Sequence, residues 1–394
     1  MRVFFISRKL LWGFFLTLAG GGALAVIGLN PARPIMSDGY QIREQFPPLT
    51  YVPGYEQGPR VRAGAAIIIE AKTGAILFAK NAEQRRAPAS TTKMMTAIVA
   101  LEKGNLNRTV TISRRAAAVP GSSIPIRAGE RVLLKELLKG MMLESGNNGS
   151  VAVAEGVAGG VDPFIELMNR KAKEIGALQT NFRNPHGLRA PSHYTTALDL
   201  ALIARYGLAN PKFAALVSRK TATLQKLGGK DEKLWNTNRL LWSFQGADGV
   251  KTGTTNEAGY CLVASATREG QRYIAVVLNS GDRWGDCARM LEYAFTEFTT
   301  VQIANTRKAL ARVSVAGGRP RQVLVYPRAN LFAVVRKGQE GLVRAQLTLI
   351  PQPVRAPLHP GQALGKIGYR FQDQTVTGVD LVVRQPVRRR WWPW

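Results

Sequence analysis

Histidine and cysteine are scarce in this chain, and acidic residues are outnumbered by basic ones. Its 394 residues include three histidines and two cysteines, and the 54 lysines and arginines exceed the 26 acidic residues by 28. With so few histidines and no His-Glu-x-x-His pattern, a zinc peptidase is not expected. We therefore expect neither a metal site nor a cofactor.

The net charge of +28 raises the question of an anionic partner. The sequence has no zinc-ligand spacing, helix-turn-helix pattern or aromatic RNA-binding motif, so nucleic acid is not an expected partner. A hydrophobic share of 45% and a charged share of 20% are typical of an ordinary globular protein.

A long apolar run occurs at the N-terminus. Arg8 and Lys9 precede the apolar residues 10–29, and Ala23-Leu24-Ala25 matches a small-x-small cleavage site. The run is also long enough to stay as an anchor, so residues 1–29 are predicted to be a signal peptide or a signal anchor. Either outcome exports the chain, and we expect it at the periplasmic side of the inner membrane or another extracytoplasmic face.

Export leaves two interpretations of Cys261 and Cys287. An oxidising compartment permits a disulfide, but two cysteines in a large domain are more often buried as small apolar side chains, which is the interpretation we favour.

The pattern of apolar residues divides the exported part into regions. Residues 30–64 are rich in Pro and Gly and are predicted to be a linker. Buried strands flank the turn Lys72-Thr73-Gly74, and an apolar helix follows Ser90. Further helices are predicted at 133–142, 151–158, 163–175, 196–206 and 283–298, and strands at 249–252, 260–267 and 272–278. A sheet from both ends of residues 65–300 with a helical block between them predicts an α+β fold.

From residue 306 the chain contains short β-branched runs separated by Gly and Pro. This predicts a small, basic all-β domain over 306–385. An Arg/Trp-rich tail over 386–394 follows, with the sequence Arg388-Arg389-Arg390-Trp391-Trp392-Pro393-Trp394.

The chemistry begins with Ser90-Thr91-Thr92-Lys93, the one Ser-x-x-Lys in the chain. A Ser and a Lys three residues apart at a helix start lie on the same face. A hydroxyl becomes a useful nucleophile when a neighbouring base takes its proton. Burial and a second cation can lower the pKa of a lysine enough to make it that base. Ser90 and Lys93 are therefore the candidate nucleophile and base.

Two further elements follow in order. In Ser145-Gly146-Asn147, the hydroxyl of Ser145 would relay a proton and the amide of Asn147 would hold a substrate amide. Lys251-Thr252-Gly253-Thr254 lies on a predicted strand whose edge offers hydrogen bonds to an extended peptide. Lys251 would supply the second cation, Thr252 and Thr254 would bind a carboxylate, and Gly253 would permit close backbone approach.

Each motif is weak alone, but the ordered set of three is a strong signal. A second Lys-Thr-Gly, at Lys72-Thr73-Gly74, precedes the nucleophile and occupies a predicted turn, so we exclude it from the site.

With these motifs, the chain resembles the low-molecular-mass penicillin-binding proteins, specifically D-alanyl-D-alanine carboxypeptidases of the type 5/6 group. Over residues 60–300 the resemblance extends to family-like segments, which are Pro120-Gly121-Ser122-Ser123, Ala128-Gly129-Glu130, Asn184-Pro185-His186-Gly187-Leu188 and Asn236-Thr237-Asn238-Arg239-Leu240-Leu241. The resemblance implies a penicillin-binding, β-lactamase-like transpeptidase domain followed by the small β domain.

The resemblance also implies a mechanism and partners. Ser90 would attack the penultimate D-Ala carbonyl of a peptidoglycan stem peptide ending in D-Ala-D-Ala, and β-lactams would acylate the same serine. The N–H groups of Ser90 and Thr254 would form the oxyanion hole. The family often ends in an amphipathic anchoring helix; this tail departs from that pattern, and we expect it to make an Arg/Trp contact with an anionic membrane surface.

Rival functions stay open at this point. A class A-like β-lactamase is disfavoured because the chain lacks a correctly spaced Glu-x-x-Leu-Asn element. A D,D-endopeptidase and a wall-binding scaffold without activity are two further rivals. Among single residues, we expect His186 to be a structural histidine and Cys261 to be packed in the core. Arg283 follows a strand end, so a contact with a substrate carboxylate stays open, but we favour an exposed residue at a helix start.

Overall fold

The computed structural model describes residues 46–52, 57–371 and 374–390. The predicted signal segment 1–29 and residues 391–394 of the tail lie outside these ranges. Within them, no helix combines the length and the apolar content that crossing a bilayer requires.

The first region contains a sheet and a block of helices. Its strands are β1 (Thr50–Tyr51), β2 (Ala65–Glu70), β3 (Ala75–Lys80), β4 (Thr109–Thr111), β5 (Arg131–Leu133), β6 (Thr221–Leu224), β7 (Lys226–Leu227), β8 (Glu232–Trp235), β9 (Ala247–Thr255), β10 (Gly259–Arg268) and β11 (Gln271–Leu278). Its helices are α1 (Lys93–Lys103), α2 (Arg114–Ala117), α3 (Leu134–Leu143), α4 (Asn147–Ala158), α5 (Val161–Ile175), α6 (Ala197–Ala209), α7 (Pro211–Val217), α8 (Leu240–Ser243) and α9 (Arg283–Glu297).

Six strands form the main sheet in the order β1-β3-β2-β11-β10-β9. The sequence of β2 explains its central position, because all six of its residues are buried. Ile67 and Ile69 pack into the core beneath the helical block, while Ile68 packs into a second core on the other face. Strand β9 lies at the edge of the sheet, and this edge carries the predicted Lys-Thr-Gly motif.

Helix α1 passes through the centre of the larger core. Its residues from Lys93 to Ala100 are all buried, as the apolar pattern predicts. Strands β2 and β3 form the predicted hairpin, with Gly74 at a φ of 75° in the turn between them. The predicted helices and strands of this region are confirmed, with bounds that differ by a few residues.

The second region is a β domain. Its strands are β12 (Phe298–Ala304), β13 (Ala311–Ala316), β14 (Gly318–Arg319), β15 (Gln322–Pro327), β16 (Leu331–Arg336), β17 (Arg344–Leu349), β18 (Val354–Arg355), β19 (Ala363–Phe371), β20 (Gln374–Val383) and β21 (Arg388–Arg389). Six of them form a sheet in the order β17-β19-β20-β15-β13-β18 around a separate core. The predicted separate β domain is confirmed.

The β12–β16 ribbon connects the two regions. Val334 of β16 belongs to the same core as α9, and the Lys72 ammonium lies 5.5 Å from the centroid of the Phe332 ring. Arg336 also bonds Glu297 at the end of α9.

Two features bear on the remaining expectations. Within the predicted linker, Thr50–Tyr51 pairs in parallel with β3. Both cysteines are free and buried, Cys261 in the core beneath the helices and Cys287 in the core on the opposite face of the sheet. The favoured interpretation of the cysteines is therefore confirmed, and they form no disulfide.

Candidate active site

Ser90 lies in a short 3-10 helix, Ala89–Thr92, that leads directly into α1. Ala89 has a φ of 48°, a conformation that non-glycine residues rarely adopt and that often accompanies a functional site. Thr91 and Thr92 are buried, whereas Ser90 is half-exposed. The turn therefore presents the Ser90 hydroxyl at the surface of an otherwise buried helix start.

Lys93 lies beside this hydroxyl. Its Nζ atom is 2.9 Å from Ser90 Oγ, 2.8 Å from Asn147 Oδ1 and 2.8 Å from the His186 carbonyl oxygen. Burial, together with the nearby Lys251 charge, holds the pKa of Lys93 well below its usual 10.5. A buried lysine with a lowered pKa and a hydrogen bond to a serine hydroxyl has the properties of a general base.

The Ser145-Gly146-Asn147 turn approaches from the start of α4. Asn147 Nδ2 donates to the Pro120 carbonyl at 2.7 Å, and Asn147 N–H donates to the Ser122 carbonyl at 2.7 Å. Because Nδ2 is engaged in this way, Oδ1 points to Lys93. Ser145 is nearly buried and has a φ of 65°, and its hydroxyl has no hydrogen bond within the described ranges.

The Lys251-Thr252-Gly253-Thr254 segment of β9 forms another wall. A Cβ atom added to Gly253 would lie 3.0 Å from the Pro88 carbonyl oxygen and 3.1 Å from Ser90 N, so the strand passes directly against the nucleophile turn. Thr252 Oγ1 is 2.7 Å from Thr237 Oγ1. A bulkier residue than glycine would push the strand away from Ser90.

Lys251 is buried on this strand, and its ammonium lies 3.4 Å from Thr252 Oγ1. Burial, with a smaller effect of the Arg283 charge, lowers the pKa of Lys251 to about 7. Lys251 and Lys93 are therefore two buried lysines, and the positive charge of one disfavours the positive charge of the other.

Arg283 belongs to the site, contrary to our expectation. It is half-buried at the start of α9, and its Nη1 donates to Thr254 Oγ1 at 2.8 Å and to the Gly253 carbonyl at 3.1 Å. The rings of Tyr260 and Trp284 lie 5.3 Å and 4.6 Å from its guanidinium carbon. Its position directly after the turn that ends β11 was the available signal in the sequence.

His186 also lies closer to the site than expected, although its ring is not the base. Burial, assisted by the Lys93 charge, lowers the pKa of the imidazole to about 3, so the ring is neutral at working pH. Its backbone carbonyl contacts Lys93 instead. No sequence pattern marks a backbone carbonyl as a partner, so this contact could not be found before the fold was known.

The structure thus brings together most of the predicted residues. Ser90, Lys93 and Asn147 are joined by hydrogen bonds, and the Lys251–Thr254 segment passes beside Ser90. Ser145 lies close to this group of residues because it is two residues before Asn147 in the chain. The other Lys-Thr-Gly, at Lys72, is in a turn at the β12–β16 ribbon and outside this site.

Comparisons with known proteins agree with this geometry. Residues 54–282 match the family model described as D-alanyl-D-alanine carboxypeptidase, and residues 298–389 match the C-terminal domain of penicillin-binding protein 5. The chain is 34% identical to D-alanyl-D-alanine carboxypeptidase DacF of Bacillus subtilis, over 83% of this chain and 86% of that protein.

Solved structures give the same result. Penicillin-binding protein 5 of Haemophilus influenzae is 32% identical, with a TM-score of 0.76 over 84% of this chain and 99% of that one. A Streptomyces K15 DD-transpeptidase mutant is 35% identical, with a TM-score of 0.58 over 60% of this chain and 99% of that one. The chain therefore belongs to the D-alanyl-D-alanine carboxypeptidase family, as a low-molecular-mass penicillin-binding protein of the type 5/6 group.

Proposed function

We propose that this protein removes the terminal D-Ala from peptidoglycan pentapeptides through an acyl-enzyme on Ser90. The observation that carries the proposal is the 2.9 Å contact between Ser90 Oγ and the buried Lys93 amine. Membership of the carboxypeptidase family supports the same reaction.

In the acylation step, Lys93 takes the Ser90 proton while Oγ bonds to the carbonyl carbon of the penultimate D-Ala. The tetrahedral intermediate collapses, the C–N bond breaks, and the departing amine of the terminal D-Ala receives a proton. Ser145 relays this proton from Lys93, and Asn147 orients the peptide. Water then attacks the ester and restores the Ser90 hydroxyl, with the shortened peptide released as a carboxylate.

The N–H groups of Ser90 and Thr254 stabilise the oxyanion. The close approach of Gly253 to Ser90 N supports this assignment, because Thr254 directly follows Gly253 and the two N–H groups therefore belong to backbone segments that lie against each other. Displacing either strand or turn would separate them.

The carboxylate of the terminal D-Ala is recognised by Lys251, Thr252, Thr254 and Arg283. Arg283 donates to Thr254 Oγ1, so its guanidinium faces the same stretch of β9 as the threonine hydroxyls. A cationic wall of this kind favours a substrate that ends in a carboxylate, which an exopeptidase requires.

The test is the intact mass of the protein after incubation with benzylpenicillin. We expect one covalent adduct on the wild type and none on Ser90→Ala. An adduct that persists in Ser90→Ala contradicts the proposal. Release of D-Ala from a pentapeptide, compared with cleavage of cross-linked muropeptide dimers, distinguishes a carboxypeptidase from an endopeptidase.

Turnover separates a peptidase from a β-lactamase. A peptidase serine holds its penicilloyl adduct, so a chromogenic cephalosporin should be hydrolysed slowly. Rapid, repeated hydrolysis would identify the protein as a β-lactamase instead.

We also propose that the protein is exported and contacts an anionic membrane surface through its C-terminal arginines. Supporting this, Arg388 and Arg389 are exposed on β21, where Arg388 is directly opposite Arg319 of β14. Adjacent like charges on neighbouring strands repel one another unless an anion lies near them. Trp391, Trp392 and Trp394 follow in the sequence, and tryptophan is enriched at membrane interfaces.

The experiment is binding to vesicles with and without phosphatidylglycerol. Val387 is buried in the core of the β domain, so residues 391–394 should be removed instead of the whole tail. We expect weaker binding to the anionic vesicles for this truncated protein and for the double variant that combines Arg388→Gln and Arg389→Gln. Unchanged binding by both variants would refute the membrane contact.

A further inference from the structure

The contacts of Lys93 bear on the direction of its lone pair, which the acylation step leaves undefined. A neutral amine has two hydrogens and one lone pair, whereas Lys93 Nζ has three oxygen neighbours. Asn147 Oδ1 and the His186 carbonyl can only accept a hydrogen bond, but the Ser90 hydroxyl can donate one. In the neutral amine, all three contacts are satisfied only when the two acceptors take the hydrogens and the lone pair faces the Ser90 proton.

The position of the His186 carbonyl therefore helps to aim the base. This carbonyl belongs to the Asn184 turn, which we define as residues 184–188. Asn184 Oδ1 accepts the N–H of Gly187 at 2.7 Å and of His186 at 3.3 Å, and Asn184 Nδ2 donates to the Leu188 carbonyl at 2.8 Å. One side chain thus spans the turn from both sides of His186.

The Asn184 turn is also fixed to the nucleophile. Thr96, one turn after Lys93 on α1, donates its hydroxyl to the Pro185 carbonyl at 2.7 Å. Gly187 has a φ of 91°, and a Cβ atom there would lie 1.8 Å from the Ala89 carbonyl oxygen. The turn is therefore packed between the base and the residue that precedes Ser90.

We propose that Asn184 is a positioning residue for acylation, because it holds the His186 carbonyl where that carbonyl directs the Lys93 lone pair at Ser90. The proposal rests on the proposed acylation of Ser90. It assigns no contact with the substrate to Asn184. Loss of the side chain should slow proton removal without weakening the non-covalent binding of a β-lactam.

The test is the rate of penicilloyl formation across a range of pH, measured by intact mass on the full chain. For Asn184→Ala we expect acylation about 10–100-fold slower at every pH, because a misaimed base loses part of the roughly 10²–10⁴-fold that a positioned general base contributes, with the concentration for half-maximal rate unchanged. Asn169→Ala is the matched control. Asn169 likewise bridges a backbone, through two hydrogen bonds to Phe182, but no hydrogen bond joins it to the Asn184 turn in the part of the chain that the structure describes.

Asn184→Asp is the second variant and keeps the proposal testable if the alanine variant fails to fold. Aspartate retains the acceptor for His186 and Gly187, loses the hydrogen bond that Asn184 Nδ2 donates to the Leu188 carbonyl, and adds a negative charge near Lys93, which raises the pKa of Lys93. The titratable groups that face Lys93 from the packed elements are Lys251 on β9 and the neutral His186 ring. We expect the acid limb of the acylation profile to move to higher pH, with the rate at high pH within a few-fold of wild type.

The outcomes separate this proposal from the proposed function. A wild type that forms no adduct contradicts the function itself. A wild type that forms one, with Asn184→Ala reacting equally fast, contradicts only the role of Asn184. Equal losses in Asn184→Ala and Asn169→Ala that follow their melting temperatures would also overturn it, since they would show a purely structural effect.

Discussion

The two Lys-Thr-Gly sequences of this chain place the same three residues in opposite surroundings. Lys72 is exposed on a turn, whereas Lys251 is buried on the edge strand β9. Thr73 donates its hydroxyl to the buried carboxylate of Glu70 at 2.7 Å, while Thr252 contacts another hydroxyl, that of Thr237. The first copy stabilises a hairpin, and the second lies beside the Ser90 turn.

The glycines differ in the same way. Gly74 has a φ of 75°, which the turn requires. Gly253 is in a regular strand, and its lack of a side chain allows the strand to pass beside Ser90 N. The tripeptide sequence alone therefore does not determine its role. Its surroundings decide whether it stabilises a turn or lies in the proposed substrate site.

The largest effect should come from exchanging each lysine for methionine. Lys251→Met removes a cation from the site, so we expect the second-order rate constant for penicillin acylation to fall roughly 100–1,000-fold, similar to the loss of one electrostatic contact in other active sites. Lys72→Met should acylate as fast as wild type. Labelling with a fluorescent penicillin measures both, and equal losses would show that the two copies are not functionally distinct.

Exchanging each glycine for alanine should give two different losses. Gly253→Ala places a methyl 3.0–3.1 Å from backbone atoms of the nucleophile turn. We expect acylation to slow by about 10–100-fold, because small displacements of reacting groups cost that much. Thermal unfolding should change little.

In Gly74→Ala, the methyl would lie 2.7 Å from Arg205 Nη1 in a left-handed conformation. We expect a stability loss of about 1–3 kcal/mol, with normal acylation by each folded molecule. Denaturant unfolding and the rate of penicillin labelling, measured on both variants, test whether Gly253→Ala mainly loses rate and Gly74→Ala mainly loses stability. If Gly253→Ala lost stability and kept its rate, the close approach would have no catalytic role.

These contrasts also show what the sequence could predict. The order of the three motifs predicted the residues around Ser90, because side-chain chemistry is written in the sequence. The position of Lys72-Thr73-Gly74 between two apolar runs likewise predicted a turn. The all-buried pattern of β2 and the apolar helix α1 predicted the core that supports both.

What the sequence could not predict depends on backbone atoms and on distant segments. The His186 carbonyl contacts Lys93 across 93 residues of chain, and a carbonyl has no sequence signature. Arg283 was expected to be exposed because a helix-start arginine usually is, but the rings of Tyr260 and Trp284 hold it against β9. The Arg283 contact exists only because the sheet brings β9, β10 and α9 together, and the His186 contact exists only because the 184–188 turn packs against the start of α1.

The smallest expected effect concerns stability, and it again separates the two lysines. The pKa of Lys251 is about 7 in the folded protein because of burial and the nearby Arg283, against an ordinary 10.5. Below pH 7 the lysine is charged in both states, and the folded state bears the full cost of burying that charge. Between pH 7 and 10.5 the unfolded chain holds a proton that the folded chain has released, so the stability of the wild type rises with pH over this window.

Lys251→Met removes this cost, so it should be more stable than wild type by about 1–2 kcal/mol at pH 6–7, although it acylates poorly. The gain should shrink as the pH rises from 7 towards 10.5, and Lys72→Met, which replaces an exposed lysine, is the matched control. Urea unfolding at pH 6, 8 and 10 measures the difference. A Lys251→Met variant that is less stable than wild type at pH 6 would mean that the buried ammonium has stabilising partners in the folded state, and that the second Lys-Thr-Gly serves the backbone as well as the substrate.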